Sequence, residues 1–325
     1  MVSGRRTGAR GNIGGSPVVT RRRFAALGAA GLAGVGLAAR ALPGLAGTAG
    51  DEGGDAAANV RPRIASLDWA LAETLVALGS PPVAVPDKRG YSEWVVEPPL
   101  PASTADLGSR FTPNIELLAA LAPDLVVAIP YQGPLLPVVE RVAPTLTLSI
   151  YEPDGRPFER ACEVATRLAA AAARPAAATA LVARAEAAFA AARARIAHLP
   201  RRPVLVVSLV DPHHAWVYGA GSLFAAVIER LGLANAWHGE TNSWGFSAVG
   251  LEGLAAADPD ARLVLLEPVP PDVAARLATN PLWQRLPFVR GGEAAIRLPV
   301  VVFGGLPSAI RFSDLLSARL AEAPA

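Results

Sequence analysis

Cysteine is nearly missing from this chain of 325 residues, and histidine is scarce. The single cysteine, Cys162, excludes both a disulfide framework and a cysteine-rich metal knuckle. Cys162 lies in an alanine-rich helical pattern, which predicts a small buried apolar residue.

The four histidines do not form a convincing metal site. His213, His214 and His238, with Glu240, are the right ligand types for zinc. However, the first half of the chain has no histidine, and adjacent residues on a strand point to opposite faces. We therefore expect no directly bound metal ion.

Acidic residues are missing from the first 49 positions, which hold seven arginines. The 30 basic residues less these seven leave 23 against 28 acidic residues, a net charge near −5 for the rest of the chain. This weakly acidic balance implies neither nucleic acid nor an anionic membrane surface as a partner.

The N-terminal segment 1–49 has the order of an export signal. The arginines at 21–23 precede an uncharged Gly/Ala/Leu run over 25–39 that is too short to anchor the chain in a membrane. Thr-Arg-Arg-x-Phe resembles the twin-arginine type, which predicts cleavage near 46–50 and a periplasmic protein.

The rest of the chain alternates strands with helices, apart from one helical interruption. This alternation predicts an α/β lobe with a largely parallel sheet over 60–156 and another over 200–325. Between them, residues 157–199 are strongly helical, and the second helix, over 175–199, would be about 36 Å long. The predicted fold is two similar α/β lobes joined by this helical strut, with a ligand cleft between the lobes.

A weak internal repeat supports two similar lobes. "NIELLAALAPDLVVA" and "GLEGLAAADPDARLVLL" share the run Leu/Ile-Glu-x-Leu-Ala-Ala-x-x-Pro-Asp and lead into a strand. Glu116 and Glu252 occupy matching places in the two copies.

Aromatic residues make up only 6% of the chain, and several lie in loops that could face the cleft. Trp94 and Tyr91 lie in a proline-rich loop that Arg110 follows, Tyr131 follows a strand, and Trp244 lies in a glycine-rich loop. Packing between the lobes is the alternative for Trp94 and Trp244, and capping of "NIELL" or pairing with Asp106 is the alternative for Arg110. The remaining tryptophans lie on apolar elements and are predicted to be core residues: Trp69, Trp216, Trp237 and Trp283.

Five motifs in order carry a resemblance to a known family: "WVVEPPLP", "DLGSRFTPNIELL", "YQGP", "GETNSWG" and "NPLWQRLPFVRGG". Over residues 62–320 the chain resembles the periplasmic ferric hydroxamate siderophore-binding proteins of ABC importers. The resemblance implies a shallow aromatic site between two lobes and an inner-membrane ABC permease as partner. It also implies that the protein is a monomer. It implies no cofactor, because the iron chelate is the transported ligand.

The resemblance also implies the site residues. Arg110 would donate to the iron-bound oxygens of the hydroxamates, and aromatic residues would enclose the chelate. The site residues that we predict are Trp94, Arg110, Tyr131, Gln132, Asn242, Trp244 and Phe303. Glu116 and Glu252 would dock onto permease arginines.

Two departures from the family pattern affect the site. Family members have a Trp and a Tyr near the strand that here reads "VVVFGG" over 300–305. Only Phe303 remains in this sequence, so we expect a thinner wall. The tyrosine of the "YGP" element is displaced by one, which leaves Gln132 beside Gly133.

The alternatives to a hydroxamate receptor are of two kinds. A receptor for another bulky chelate, such as a catecholate siderophore, haem or a corrinoid, would share the fold. A ferric catecholate carries about three negative charges and calls for a basic cluster, whereas only Arg110 is obvious here. A two-lobed α/β enzyme is the other alternative, but the chain has no nucleophile elbow, zinc-protease helix, P-loop or dinucleotide fingerprint.

Overall fold

The structure is a computed structural model that describes residues 61–290 and 295–322. The export signal predicted for 1–49 lies outside the described residues. Two five-stranded sheets organise the described chain, and we call the parts around them the first and second lobes. The α/β class with two lobes is confirmed.

The first lobe contains a wholly parallel sheet. Its strands are β1 (Ile64–Ser66), β2 (Ala84–Val85), β3 (Ala105–Asp106), β4 (Leu125–Ala128) and β5 (Thr145–Thr147). They lie in the order β3-β2-β1-β4-β5. Its helices are α1 (Trp69–Ala77), α2 (Lys88–Trp94), α3 (Ile115–Ala120), the 3-10 helix Pro130–Leu135 and α4 (Leu136–Val139). Asp68 and Asn114 begin α1 and α3, because their side chains accept the backbone N–H groups that a helix start leaves unpaired.

Two helices connect the lobes, α5 (Pro157–Ala171) and α6 (Pro175–Arg195). With 21 residues, α6 is about 32 Å long and ends earlier than the predicted Leu199. At this end the N–H of Ile196 donates to the Ala192 carbonyl at 3.3 Å. No helix within 61–290 or 295–322 is both long and apolar enough to cross a membrane.

The second lobe contains a mixed sheet. Its strands are β6 (Val204–Leu209), β7 (His214–Tyr218), β8 (Phe246–Gly250), β9 (Arg262–Leu266) and β10 (Ile296–Leu298). They lie in the order β8-β7-β6-β9-β10, and β7 is antiparallel to both neighbours. The prediction of a largely parallel sheet is therefore wrong for β7 alone, because β8 at the edge runs in the same direction as β6, β9 and β10. Its helices are α7 (Leu223–Arg230), the 3-10 helix Leu251–Ala256, α8 (Pro271–Ala278), α9 (Pro281–Arg285), α10 (Pro287–Arg290) and α11 (Leu306–Glu322).

The segment 300–305, predicted as a strand, is instead a turn. β10 ends at Leu298, and Val300 donates its N–H to the Leu298 carbonyl at 3.0 Å. Pro299 lacks an N–H for a sheet hydrogen bond, so the chain leaves the sheet there. The turn places Phe303 directly before Gly304, Gly305 and the start of α11.

The two sheets have matching strand orders, which supports the internal repeat. β3-β2-β1-β4-β5 corresponds to β8-β7-β6-β9-β10, with the two first strands, β1 and β6, at the centre. Glu116 lies on the helix between β3 and β4, and Glu252 on the 3-10 helix between β8 and β9. Both glutamates are exposed and occupy equivalent positions in the two lobes.

One hydrophobic core extends through both lobes. Buried residues of the first sheet, such as Ile64 and Val127, belong to the same cluster as Val206 and Val264 of the second sheet. Between them lie α5, α6 and α11, and Phe189 marks the buried face of α6. The long helix is therefore packed on one face rather than standing alone as a strut. Cys162 on α5 is half-buried at the margin of this core, not fully buried as predicted.

Candidate binding site

An aromatic cluster joins the two lobes, and Trp244 is at its centre. The Tyr151 ring stacks on Trp244 with centroids 5.5 Å apart and planes 21° apart. Phe303 and Tyr131 meet Trp244 edge-on at 4.9 Å and 6.4 Å. The structure thus brings together three predicted site residues, Tyr131, Trp244 and Phe303, and adds Tyr151, which sequence reasoning missed.

Strand ends explain why these rings meet. Tyr131 follows β4, Tyr151 follows β5 and Phe303 follows β10, so all three extend from carboxyl ends of parallel strands. Loops at these ends are the usual ligand sites of α/β sheets. The Tyr131 side chain is 67% exposed, which makes it the most accessible ring of the cluster.

The Trp244 loop is shaped by Asn242 and Gly245. The Asn242 side-chain oxygen accepts the N–H groups of Trp244 at 2.9 Å and Phe246 at 3.3 Å. Gly245 has φ +76°, and a Cβ there would lie 2.2 Å from the Ser222 nitrogen, so only glycine fits. Asn242 therefore contributes to the site by holding Trp244 in place.

A second layer of rings supports the cluster from within the second lobe. Trp216 packs on Phe246 at 4.7 Å and lies 6.0 Å from Phe303, which also contacts Tyr218 at 6.4 Å. Trp216 is half-buried and packs against the core, as predicted, but its ring also belongs to this cluster. We expected a thin aromatic wall around Phe303. In the structure this wall also contains the rings of Tyr151, Trp216 and Phe246.

Arg110 lies on an aromatic floor in the first lobe. Its guanidinium carbon is 3.9 Å from the centre of the Trp69 ring, and the side chain is exposed. Neither alternative role holds, since Asn114 caps α3 and the Asp106 carboxylate accepts the Gly108 N–H. Arg110 makes no hydrogen bond or ion pair with any residue in the described ranges, which leaves its N–H donors available to a ligand.

A buried carboxylate lies beside this arginine. Asp68 is 7% exposed and accepts the N–H groups of Ala70 and Leu71 at the start of α1. Burial raises the pKa of Asp68, while the positive charge of Arg110 and these backbone donors oppose the rise. Asp68 therefore balances part of the Arg110 charge when it is ionised.

The other predicted site residues of the first lobe have packing or structural contacts. Trp94 ends α2, is half-buried and packs against the cluster of Trp69 and Tyr91. Tyr91 was expected to face the cleft, but it is buried and its hydroxyl donates to the Pro98 carbonyl at 2.7 Å. The interpretation of Tyr91 as a cleft residue is therefore wrong.

Gln132 braces the turn that carries Tyr131. Its side-chain nitrogen donates to the Leu67 carbonyl, and its oxygen accepts the Ile129 N–H at 3.1 Å. These two bonds tie the end of β4 to the end of β1. The displaced tyrosine of the "YQGP" element thus sits on a turn that Gln132 holds.

Metal-ligating side chains are not clustered in the part of the chain that the structure describes: no group of three or more could hold an ion. His214 instead pairs through its Nδ1 with the Asp211 carboxylate at 2.9 Å. Trp69, Trp237 and Trp283 are buried, as predicted for core residues.

The fold agrees with the comparisons to known proteins. Residues 64–295 match the sequence profile of the family described as periplasmic binding protein. The chain belongs to this family. As a periplasmic binding protein it is a substrate-binding protein and not an enzyme.

Two relatives are similar over most of their length. The iron(3+)-hydroxamate-binding protein FhuD of Escherichia coli is 36% identical over 263 residues, which cover 80% of this chain and 88% of that protein. The crystal structure of FhuD from Vibrio cholerae with bound Fe3+ and Desferal superposes with a TM-score of 0.73 at 28% identity. That match covers 81% of this chain and all of the other.

The fold is shared more widely than the ligand. FeuA of Bacillus subtilis, a triscatecholate siderophore-binding protein, superposes with a TM-score of 0.66 at 17% identity, over 80% of this chain and 93% of that one. This likeness shows the two-lobed fold alone. The ligand of a periplasmic binding protein must be argued from the side chains of its site.

Proposed function

We propose that this periplasmic binding protein captures a ferric hydroxamate siderophore and delivers it to an inner-membrane ABC permease. One observation carries the proposal: an exposed Arg110 with unused donors lies on Trp69, in a protein whose lobes meet through the rings of Tyr131, Tyr151, Trp244 and Phe303. The similarity to the two FhuD proteins supports the same ligand class.

The chemistry of a ferric hydroxamate suits this arrangement. Three hydroxamates give iron(III) a coordination centre of roughly zero charge, with an apolar periphery and oxygens that still accept hydrogen bonds. Arg110 can donate to these oxygens, and aromatic rings can cover the apolar periphery. The iron arrives as cargo within the chelate, so we propose no resident cofactor.

A ferric catecholate suits the site less well. Its charge of about −3 requires several cations, because one arginine recovers only part of the cost of dehydrating the anion. Here the buried Asp68 carboxylate lies beside Arg110 and, when it is ionised, offsets part of the positive charge that would hold an anionic ligand. Charge therefore favours the hydroxamate.

Delivery requires export and a docking surface. We propose that residues 1–49 direct export to the periplasm and that the mature chain acts as a monomer. Glu116 and Glu252 are exposed at equivalent places of the two lobes, which suits a permease with one basic pocket in each of two related subunits.

A titration panel tests the proposal. Ferric hydroxamates, ferric catecholates and cobalamin would each be added while tryptophan fluorescence is recorded, with a Trp244→Phe variant to identify the signal from the cluster. We expect saturable quenching with a hydroxamate that shrinks in the variant. Saturation with a catecholate or cobalamin alone would assign the protein to another chelate.

A further inference from the structure

The turn that carries Phe303 is held from the opposite lobe. Phe303 contacts Trp244 at 4.9 Å and Tyr151 at 5.7 Å, so its position sets the shape of the aromatic cluster. The next two residues, Gly304 and Gly305, lead into α11. Any group that fixes these glycines also fixes the Phe303 ring.

Glu73, in the middle of α1, is such a group. Its side chain is fully buried, and its carboxylate accepts the Gly305 N–H and the Ser308 hydroxyl, the latter at 2.7 Å. These donors lie at the start of α11, where backbone N–H groups lack partners within the helix. A first-lobe carboxylate therefore caps a helix that follows the second sheet.

The approach of the two segments is close enough to require both glycines. A Cβ on Gly304 would lie 2.2 Å from the Ser308 hydroxyl oxygen and 2.9 Å from a Glu73 oxygen. A Cβ on Gly305 would lie 2.8 Å from the Thr74 hydroxyl on α1. The turn is thus built against α1.

A second bond reaches the same turn from the first lobe. The Tyr151 hydroxyl donates to the Gly304 carbonyl at 2.9 Å, while its ring stacks on Trp244. The turn is therefore held at Gly304 by Tyr151 and at Gly305 by Glu73. Phe303 is adjacent to both attachments.

We propose that Glu73 is a positioning residue of the binding site: it fixes the turn 303–305 against α1 and thereby sets Phe303 against Trp244 and Tyr151. It touches no ligand and acts through the turn. The consequence for affinity rests on the proposed function, whereas the consequence for the aromatic cluster does not.

Two substitutions separate this role from a general contribution to stability. Glu73→Gln keeps an oxygen for the Gly305 N–H and an N–H group for the Ser308 oxygen, so it should preserve the turn. Glu73→Met keeps a side chain of similar length but leaves the Gly305 N–H unpaired. Leu118→Ala, in a core cluster of the first lobe whose residues are all aliphatic, is the control for lost stability without displacement of the turn.

The first measurement is the near-ultraviolet circular dichroism of the ligand-free protein, at a temperature where every variant is folded. We expect the wild type, Glu73→Gln and Leu118→Ala to share one aromatic spectrum and Glu73→Met to differ. An unchanged Glu73→Met spectrum would overturn the proposal, even if no ligand is available.

The second measurement is the affinity for the Fe3+ complex of Desferal under the same conditions. Glu73→Met should bind more weakly by about tenfold or more, with Glu73→Gln close to the wild type. Equal loss of affinity in Glu73→Met and Leu118→Ala would reduce Glu73 to a stabilising residue. Failure of the wild type itself to bind any hydroxamate would instead contradict the proposed function, and the spectra would still decide the role of Glu73.

Discussion

At the scale of single residues, Arg110 is the side chain on which the ligand class depends most. Arg110→Ala should weaken binding of a ferric hydroxamate by roughly 1.5 to 3 kcal/mol, because a charge-assisted hydrogen bond is lost. The melting temperature should change little, since the arginine is exposed and bonds no residue in the described ranges. Calorimetric titration and thermal melts measure the two effects.

Arg167→Ala is the matched control for this substitution, because Arg167 is also exposed but lies on α5, a connecting helix. It should leave both affinity and melting temperature unchanged. Equal affinity of Arg110→Ala and the wild type would remove Arg110 from the site.

Glu73 predicts a pH dependence of stability. Burial raises its pKa from 4.5 to about 7, so the folded state binds this proton more tightly than the unfolded chain does. The associated stabilisation is complete below pH 4.5 and is lost as the pH rises to about 7. At about 1.4 kcal/mol per pKa unit, the loss is on the order of 3 kcal/mol.

Denaturant unfolding of the wild type and Glu73→Gln from pH 4.5 to pH 8 measures this loss. The wild type should lose stability relative to the variant as the pH rises, because the glutamine cannot ionise. The other titratable groups that act on Glu73 or are acted on by it are Asp68, Tyr91 and Tyr151, which both proteins retain. Parallel stability curves would show that Glu73 does not titrate in this range.

Some site residues could be predicted from sequence and others could not. Tyr131 and Trp244 stand out because a large ring in a polar or glycine-rich loop has no obvious core to fill. Trp216 lies on a strand that alternates between two faces, and the sequence does not say which face the other lobe covers. Glu73 reads as a polar position on an apolar helix, and its partners lie 232 and 235 residues away.

At the scale of elements, the direction of β7 was readable but overlooked. Only the residues 210–213 separate β6 from β7, and a parallel connection needs a dozen or more. The Asp211 carboxylate accepts the N–H groups of His213 and His214, which turns the chain back on itself. The "DPHH" segment thus forms the hairpin turn between β6 and β7.

Glu116 and Glu252, at matching places in the two lobes, predict a substitution that affects siderophore uptake by cells without affecting siderophore binding. Each glutamate lies in the first turn of its helix, where the dipole explains about 0.3 to 1 kcal/mol of stability. The dipole does not explain one exposed glutamate at the same place in each lobe. Reversal of both, Glu116→Arg with Glu252→Arg, should abolish growth on a ferric siderophore as sole iron source while leaving affinity intact.

Glu140→Arg with Glu186→Arg is the control for this pair, since both glutamates are exposed but do not occupy repeat positions. The control should support growth. If the double reversal at 116 and 252 supports growth as well, the docking role is wrong and helix stabilisation remains as the explanation.

At the scale of the whole molecule, the shared core predicts a small motion on binding. α5, α6 and α11 pack between the sheets in one cluster, so a wide opening would expose buried apolar surface. The turn 303–305 is also bonded to the first lobe. Small-angle scattering should therefore give nearly the same curve with and without the ligand, and a large decrease in radius of gyration on ligand addition would contradict this account.

The most direct test of the central claim is isothermal titration of the purified protein with three compounds: the Fe3+ complex of Desferal, iron-free Desferal and ferric bacillibactin. The account predicts one saturable site for the ferric hydroxamate, with an affinity at least about tenfold higher than for either other compound. In this account Arg110 donates to the iron-bound oxygens, and one arginine recovers only part of the cost of dehydrating a trianionic chelate. Equal or tighter binding of ferric bacillibactin, or no binding of the Fe3+ complex of Desferal and other ferric hydroxamates, would contradict it.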